Sequence, residues 1–93
     1  MIYFVCGASQ NIGARELVKI GHSTDVADRL ANIGTACPFR IGLLATVPGD
    51  AQRERAIRGL FAKWHVHKEW FWLVPEIEDW IEKQEGVEFG DIF

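Results

Sequence analysis

The stretch Val18-Lys19-Ile20-Gly21-His22-Ser23-Thr24-Asp25-Val26-Ala27-Asp28-Arg29-Leu30 decides the fold. An apolar run ends on Gly21, a residue that permits a turn or a close backbone approach. Ser23 or Thr24 then supplies N-cap chemistry, and Asp25 places negative charge in the first helical turn. Val26, Leu30 and Ile33 recur at i, i+4 and i+7, which predicts a helix to about Ile33 with one apolar stripe. Gly34 reads as the residue that stops it. A strand end, a glycine and a helix start therefore meet within a few residues. At roughly 100° per residue Arg29 lies about 60° from Val26, on the edge of the stripe. An arginine there lays its stem on apolar surface and keeps its guanidinium free.

Upstream, Ile2 to Cys6 is continuous apolar sequence of strong β preference and reads as a strand buried on both faces. Tyr3, the only tyrosine, reads by itself as a core aromatic. Gly7 to Glu16 is rich in turn formers, and Leu17 to Ile20 forms a second strand, so the two strands make a hairpin. Downstream, Pro38 keeps Thr35 to Phe39 out of helix, and Arg40 to Val47 is a third strand with a bulge expected at Gly42. Asp50 caps a second helix running to about Trp64, with Ile57, Leu60, Phe61 and Trp64 inward. Glu54 falls on the edge of that stripe, and Arg53, Arg55, Arg58 and Lys63 form a basic exterior. Trp64 to Leu73 carries three of the four tryptophans. Pro75 opens a last helix, acidic in its first turn and ended by Gly86. The expected fold is α+β: a small three-stranded antiparallel sheet flanked by helices, in the order β-β-α-β-α-α.

Ninety-three residues, 48% hydrophobic and 25% charged, make one globular domain, 1–93, with an acidic C-terminal helix and tail from about 75 to 93. The net charge is −3, but it is unevenly spread: nine Lys/Arg against five Asp/Glu through Lys68, one against eight from Glu69 on. The body can thus present a basic face to a polyanion while the end repels it. Two cysteines, Cys6 and Cys37, without a signal sequence fit a reducing cytoplasm. No apolar run approaches membrane-span length.

Tyr3 in IYF, Lys19-Ile20-Gly21, Arg29 ten residues after Lys19, the pair Glu54 and Phe61 on one helix, and Glu69-Trp70-Phe71 form a joint pattern. It resembles the GIY-YIG endonuclease superfamily, in the branch where KIG replaces YIG, the T5orf172-type domains. The resemblance covers roughly residues 2 to 75. It implies a GIY-YIG-like fold and metal-dependent hydrolysis of DNA, duplex or branched. Glu69 is then the single metal ligand, for Mg²⁺ or Mn²⁺. Arg29 steadies the transferring phosphate and Tyr3 helps activate water. Lys19 stands where the second tyrosine would be and offers phosphate a cation, while His22 falls at the place of a basic proton relay. Arg40, Arg53 and Arg58 become candidate nucleic-acid contacts. The sequence departs from the pattern twice: one tyrosine is absent, and no asparagine follows Glu69.

Two other readings compete. On the same scaffold, a catalytically inactive module would bind nucleic acid, or a protein through the acidic C-terminal segment. Separately, His65, His67 and Glu69 are spaced by two; on a strand they would share one face and could hold Zn²⁺.

Overall fold

A computed structural model describes residues 1–7, 17–36 and 41–90. The predicted hairpin tip, residues 37–40 with Cys37 and Arg40, and the last three residues lie outside the described residues. The described elements are β1 (Ile2–Gly7), β2 (Leu17–His22), α1 (Val26–Ala36), β3 (Ile41–Val47), α2 (Ala51–Leu60), a 3₁₀ turn (Ala62–Trp64), β4 (His65–His67), β5 (Trp70–Trp72), α3 (Pro75–Glu82) and β6 (Glu88–Phe89).

The sheet has six antiparallel strands, in the order β4-β5-β2-β1-β3-β6, not the three expected. The α+β class stands; the strand count does not. The added strands are two or three residues long, too short for a periodic signal. In β5 the alternation is hidden by chemistry, because Trp70, Phe71 and Trp72 are all aromatic although only Phe71 is buried.

β1 is fully buried at the sheet centre, as its apolar run requires. Its side chains sort by parity. Ile2 and Phe4 join Val18, Ile20, Ala45, Val47 and Phe71 in a core closed by Ile57 and Phe61 of the α2 segment and Ile77 and Ile81 of α3. Tyr3 and Val5 face the other way, against Val26, Leu30 and Ile33 of α1 and against Leu43. The sheet therefore separates an α2/α3 face from an α1 face, and that division sorts the candidate site residues.

Local chemistry sets the helix ends. Asp25, rather than Ser23 or Thr24, caps α1: its Oδ1 accepts from Asp28 N at 3.1 Å, while Ser23 Oγ accepts from Asp25 N at 3.0 Å. The helix runs through Gly34 to Ala36. Asp50 caps α2 as expected, accepting from Arg53 N at 2.9 Å. That helix stops at Leu60, and a 3₁₀ turn continues to Trp64. Leu60, predicted inward, is exposed, because Phe61 takes the core position at the helix end. α3 ends at Glu82, before Gly86. The β1–β3 register shifts between Phe4 and Val5, skipping Leu44, so the irregularity is there and not at Gly42. No helix of the described residues is long and apolar enough to cross a membrane.

Candidate active site

Tyr3 and Gly21 are opposite one another on β1 and β2. The phenol lies across the glycine: a Cβ at residue 21 would fall 2.9 Å from Tyr3 Cε1 and nearer still to Cζ and Oη. Gly21 is thus required by the tyrosine ring beside it; it lies within β2 with a φ outside the left-handed region, so no turn demands it. Tyr3 is only 1% exposed. Its hydroxyl meets Arg29, whose Nε donates to Oη at 3.4 Å from the exposed face of α1. This long bond and the partial charge of the phenol raise the Arg29 pKa above the ordinary arginine value, with a smaller contribution from the charge of Glu69. Arg29 is a permanent cation in this setting.

One pair further along β2, Lys19 is opposite Trp70 of β5 and so shares the Tyr3–Gly21 face. Its Nζ lies 3.0 Å from Glu69 Oε2 and 5.5 Å from the centre of the Trp70 ring. The Lys19 side chain is 17% exposed and that of Glu69 33%. Glu69 belongs to the two-residue turn between β4 and β5, and its carbonyl accepts from Ile20 N at 3.1 Å. The hydrogen bond fixes the carboxylate-bearing turn to the strand that carries Lys19. Lys68, the first residue of that turn, has a φ of 52°, a conformation that glycine adopts at less cost.

Tyr3, Lys19, Arg29 and Glu69 are therefore brought together on the α1 face, from two strands, a helix and a hairpin turn. Other candidates fall elsewhere. His22 is opposite Ile2, so strand parity puts it on the α2/α3 face. Arg53 binds the Pro48 carbonyl through one guanidinium nitrogen and Gln84 Oε1 at 3.0 Å through the other. Arg58 pairs at 3.4 Å with Glu54, which is only 7% exposed. Arg40 lies outside the described residues.

The His-x-His-x-Glu zinc reading does not survive. Glu69 is in a turn, and the β4–β5 register is irregular between His65 and His67, so the three residues do not share a face. Among the described residues no group of three or more His, Cys, Asp or Glu is placed to hold a metal. Trp70, whose ring flanks the Lys19 ammonium, has no site role in the sequence reading. The signal was present in Glu69-Trp70-Phe71, but it becomes legible only once β5 pairs with β2.

A family model described as the T5orf172 domain matches residues 1–85. No curated protein and no solved structure matches the chain. Matched over nearly its whole length, the chain belongs to the T5orf172 domain family, which is related to the GIY-YIG-like endonucleases.

Proposed function

We propose that this protein is a GIY-YIG-type endonuclease that hydrolyses phosphodiester bonds in DNA with one divalent cation, Mg²⁺ or Mn²⁺. The observation that carries the reading is the convergence of Arg29, Lys19 and Glu69 beside Tyr3 on one sheet face. Phosphodiester hydrolysis breaks one P–O bond as water forms another, and charge gathers on the non-bridging oxygens. Arg29 meets that charge as an exposed guanidinium, and Lys19 as an ammonium held beside Glu69 and Trp70. Tyr3 lies beneath Arg29, nearly sealed from solvent, so it acts as a positioning residue: its hydroxyl holds the Arg29 stem and its ring fills the space over Gly21.

Glu69 fits a hard cation that keeps most of its water. The carboxylate is partly exposed, Oε1 has no protein partner among the described residues, and Oε2 already faces a positive charge. Bound there, the ion would supply Lewis-acid stabilisation and lower the pKa of a nucleophilic water.

The test is cleavage of duplex, branched and single-stranded DNA with Mg²⁺ or Mn²⁺ by wild-type protein, Glu69→Gln and Arg29→Ala. Wild-type turnover lost in both variants is expected. Wild-type protein that cuts none of the substrates with either ion sinks the enzyme reading.

One observation favours a second reading, a DNA-binding module without turnover: the Lys19 ammonium already neutralises Glu69 and stands where a metal would compete with it. That reading expects salt-sensitive DNA binding in the same preparations with no product.

A further inference from the structure

On the opposite face, between α2 and β4, lies an open groove of about 440 Å³ lined by Arg55, Arg58, Gly59, Ala62, His65 and Phe71. Its charged walls are cationic, in a chain whose net charge is −3. Arg55 is exposed and engages no partner among the described residues. Arg58 spends one guanidinium nitrogen on buried Glu54 and stays about one-third exposed. His65 is fixed edge-on to Phe71, with ring centres 5.2 Å apart, and its Nε2 is 2.6 Å from the Lys68 carbonyl.

The floor of the groove carries the second observation. Gly59 lies inside α2 with a φ outside the left-handed region. A Cβ built there would meet nothing within 4 Å. Neither its backbone conformation nor a neighbouring side chain requires glycine, and glycine weakens a helix. What it does provide is bare helix surface beside Arg55, one turn further along α2.

The groove also connects to the candidate site. His65, Lys68 and Glu69 belong to one hairpin. Glu69 faces Lys19 on one side of the sheet, and His65 faces the groove on the other. Lys68, exposed between them, has its carbonyl 2.6 Å from Nε2 of His65, the histidine that lines the groove.

We propose that this groove is a second phosphate-binding subsite, which seats the sugar–phosphate backbone of the nucleic acid whose reacting phosphate lies at Glu69. Arg55 and Arg58 contact phosphate oxygens, and the missing side chain at Gly59 lets the backbone approach the helix. The proposal rests on the reading of DNA as substrate and adds the path the strand takes past the β4–β5 hairpin.

The experiment measures binding of a labelled DNA duplex across a salt series in EDTA, for wild type, Arg55→Gln, Gly59→Leu and Glu69→Gln. Binding of inorganic phosphate and cleavage with Mn²⁺ are measured in parallel. Arg55→Gln is expected to weaken binding several-fold and to lower the salt slope by about one. Gly59→Leu, whose Cβ meets no neighbouring side chain within 4 Å at an exposed helix position, is expected to keep or raise Tm while binding falls at least as far. Glu69→Gln removes a negative charge and frees the Lys19 ammonium, so in EDTA it is expected to bind at least as tightly as wild type. Wild-type affinity and salt slope in both groove variants, from a protein that still binds and cuts DNA, would overturn the groove and leave the nuclease reading standing. A protein that binds no DNA sinks both, and phosphate binding alone in that case marks a small-anion site, against the proposed strand path.

Discussion

Replacing Gly21 with alanine tests the contact on which the α1-face site is built. The added methyl would sit inside contact distance of two ring carbons and the hydroxyl oxygen of Tyr3, which is 1% exposed and packed among Val5, Ile33, Val26, Leu30 and Leu43. The ring has little room to retreat, so the cost is that of overpacking a buried site, about 1–3 kcal/mol. If the ring swings, its hydrogen bond to Arg29 is lost as well, worth roughly another 0.5–1.5 kcal/mol. For a domain of this size each kcal/mol moves Tm by roughly 4–8 °C. Urea unfolding followed by tryptophan fluorescence measures the change. A double-mutant cycle isolates the cause, because Tyr3→Leu removes the ring atoms that alanine would strike. Gly21→Ala is expected to be costly in wild type and close to neutral in the Tyr3→Leu background. An equal cost in both backgrounds, or none in wild type, would refute the argument that the phenol dictates the glycine.

Three further outcomes follow from the same geometry. Lys68→Gly relieves a left-handed backbone but adds unfolded-state entropy, so a gain of about 0.5 kcal/mol is expected in chemical denaturation. Asp50 caps α2 and its carboxyl is held below the ordinary carboxylate range, chiefly by the hydrogen bond from Arg53 N. The cap's stabilisation is complete above the unfolded-state pKa and is lost as pH falls through the lowered one, so Asp50→Asn should flatten the acid limb of a Tm-against-pH curve. Lys19→Met removes the cation that shares Glu69 Oε2; a part-exposed pair contributes only about 0–1 kcal/mol to stability, so Tm should barely move. Mn²⁺ affinity, read by paramagnetic resonance or calorimetry, should rise in Lys19→Met and vanish in Glu69→Gln; unchanged affinity in Lys19→Met would deny any competition between ammonium and metal.

The central features were legible because their chemistry is local. The apolar run of β1, the Asp50 cap and the Pro75 helix start each follow from a few adjacent residues. Arg29 was readable as an edge residue from its angle to Val26. The short edge strands were not, since β4 and β6 hold three and two residues and exist only through their partners. The capping of α1 was misread because Ser23, Thr24 and Asp25 are all good caps, and the choice depends on where the chain leaves β2. His22, the expected proton relay, is turned away from Tyr3 because adjacency to Gly21 along the chain is opposition across the sheet: successive strand residues point to opposite faces. The basic exterior expected of α2 is present, but Arg53 already serves Pro48 and Gln84 through both terminal nitrogens, whereas Arg58 gives only one to Glu54.

Strand parity also explains why fold and site are specified together. Tyr3, Gly21 and Lys19 share a face only in the observed β1–β2 register, with Tyr3 opposite Gly21 and Val5 opposite Lys19. A one-residue slip of β2 would turn Lys19 and Gly21 into the core and Val18 and Ile20 out of it. It would also place a residue larger than glycine against the phenol. Hydrophobic burial therefore penalises the slipped register on one face, and the Tyr3–Gly21 contact penalises it on the other. The β3 irregularity between Phe4 and Val5 does not disturb this pairing, because it lies across the other edge of β1. The residues that would bind phosphate are held in place by the same contact that pins the central hairpin, so a substitution that frees Tyr3 is expected to loosen the register and the candidate site at once.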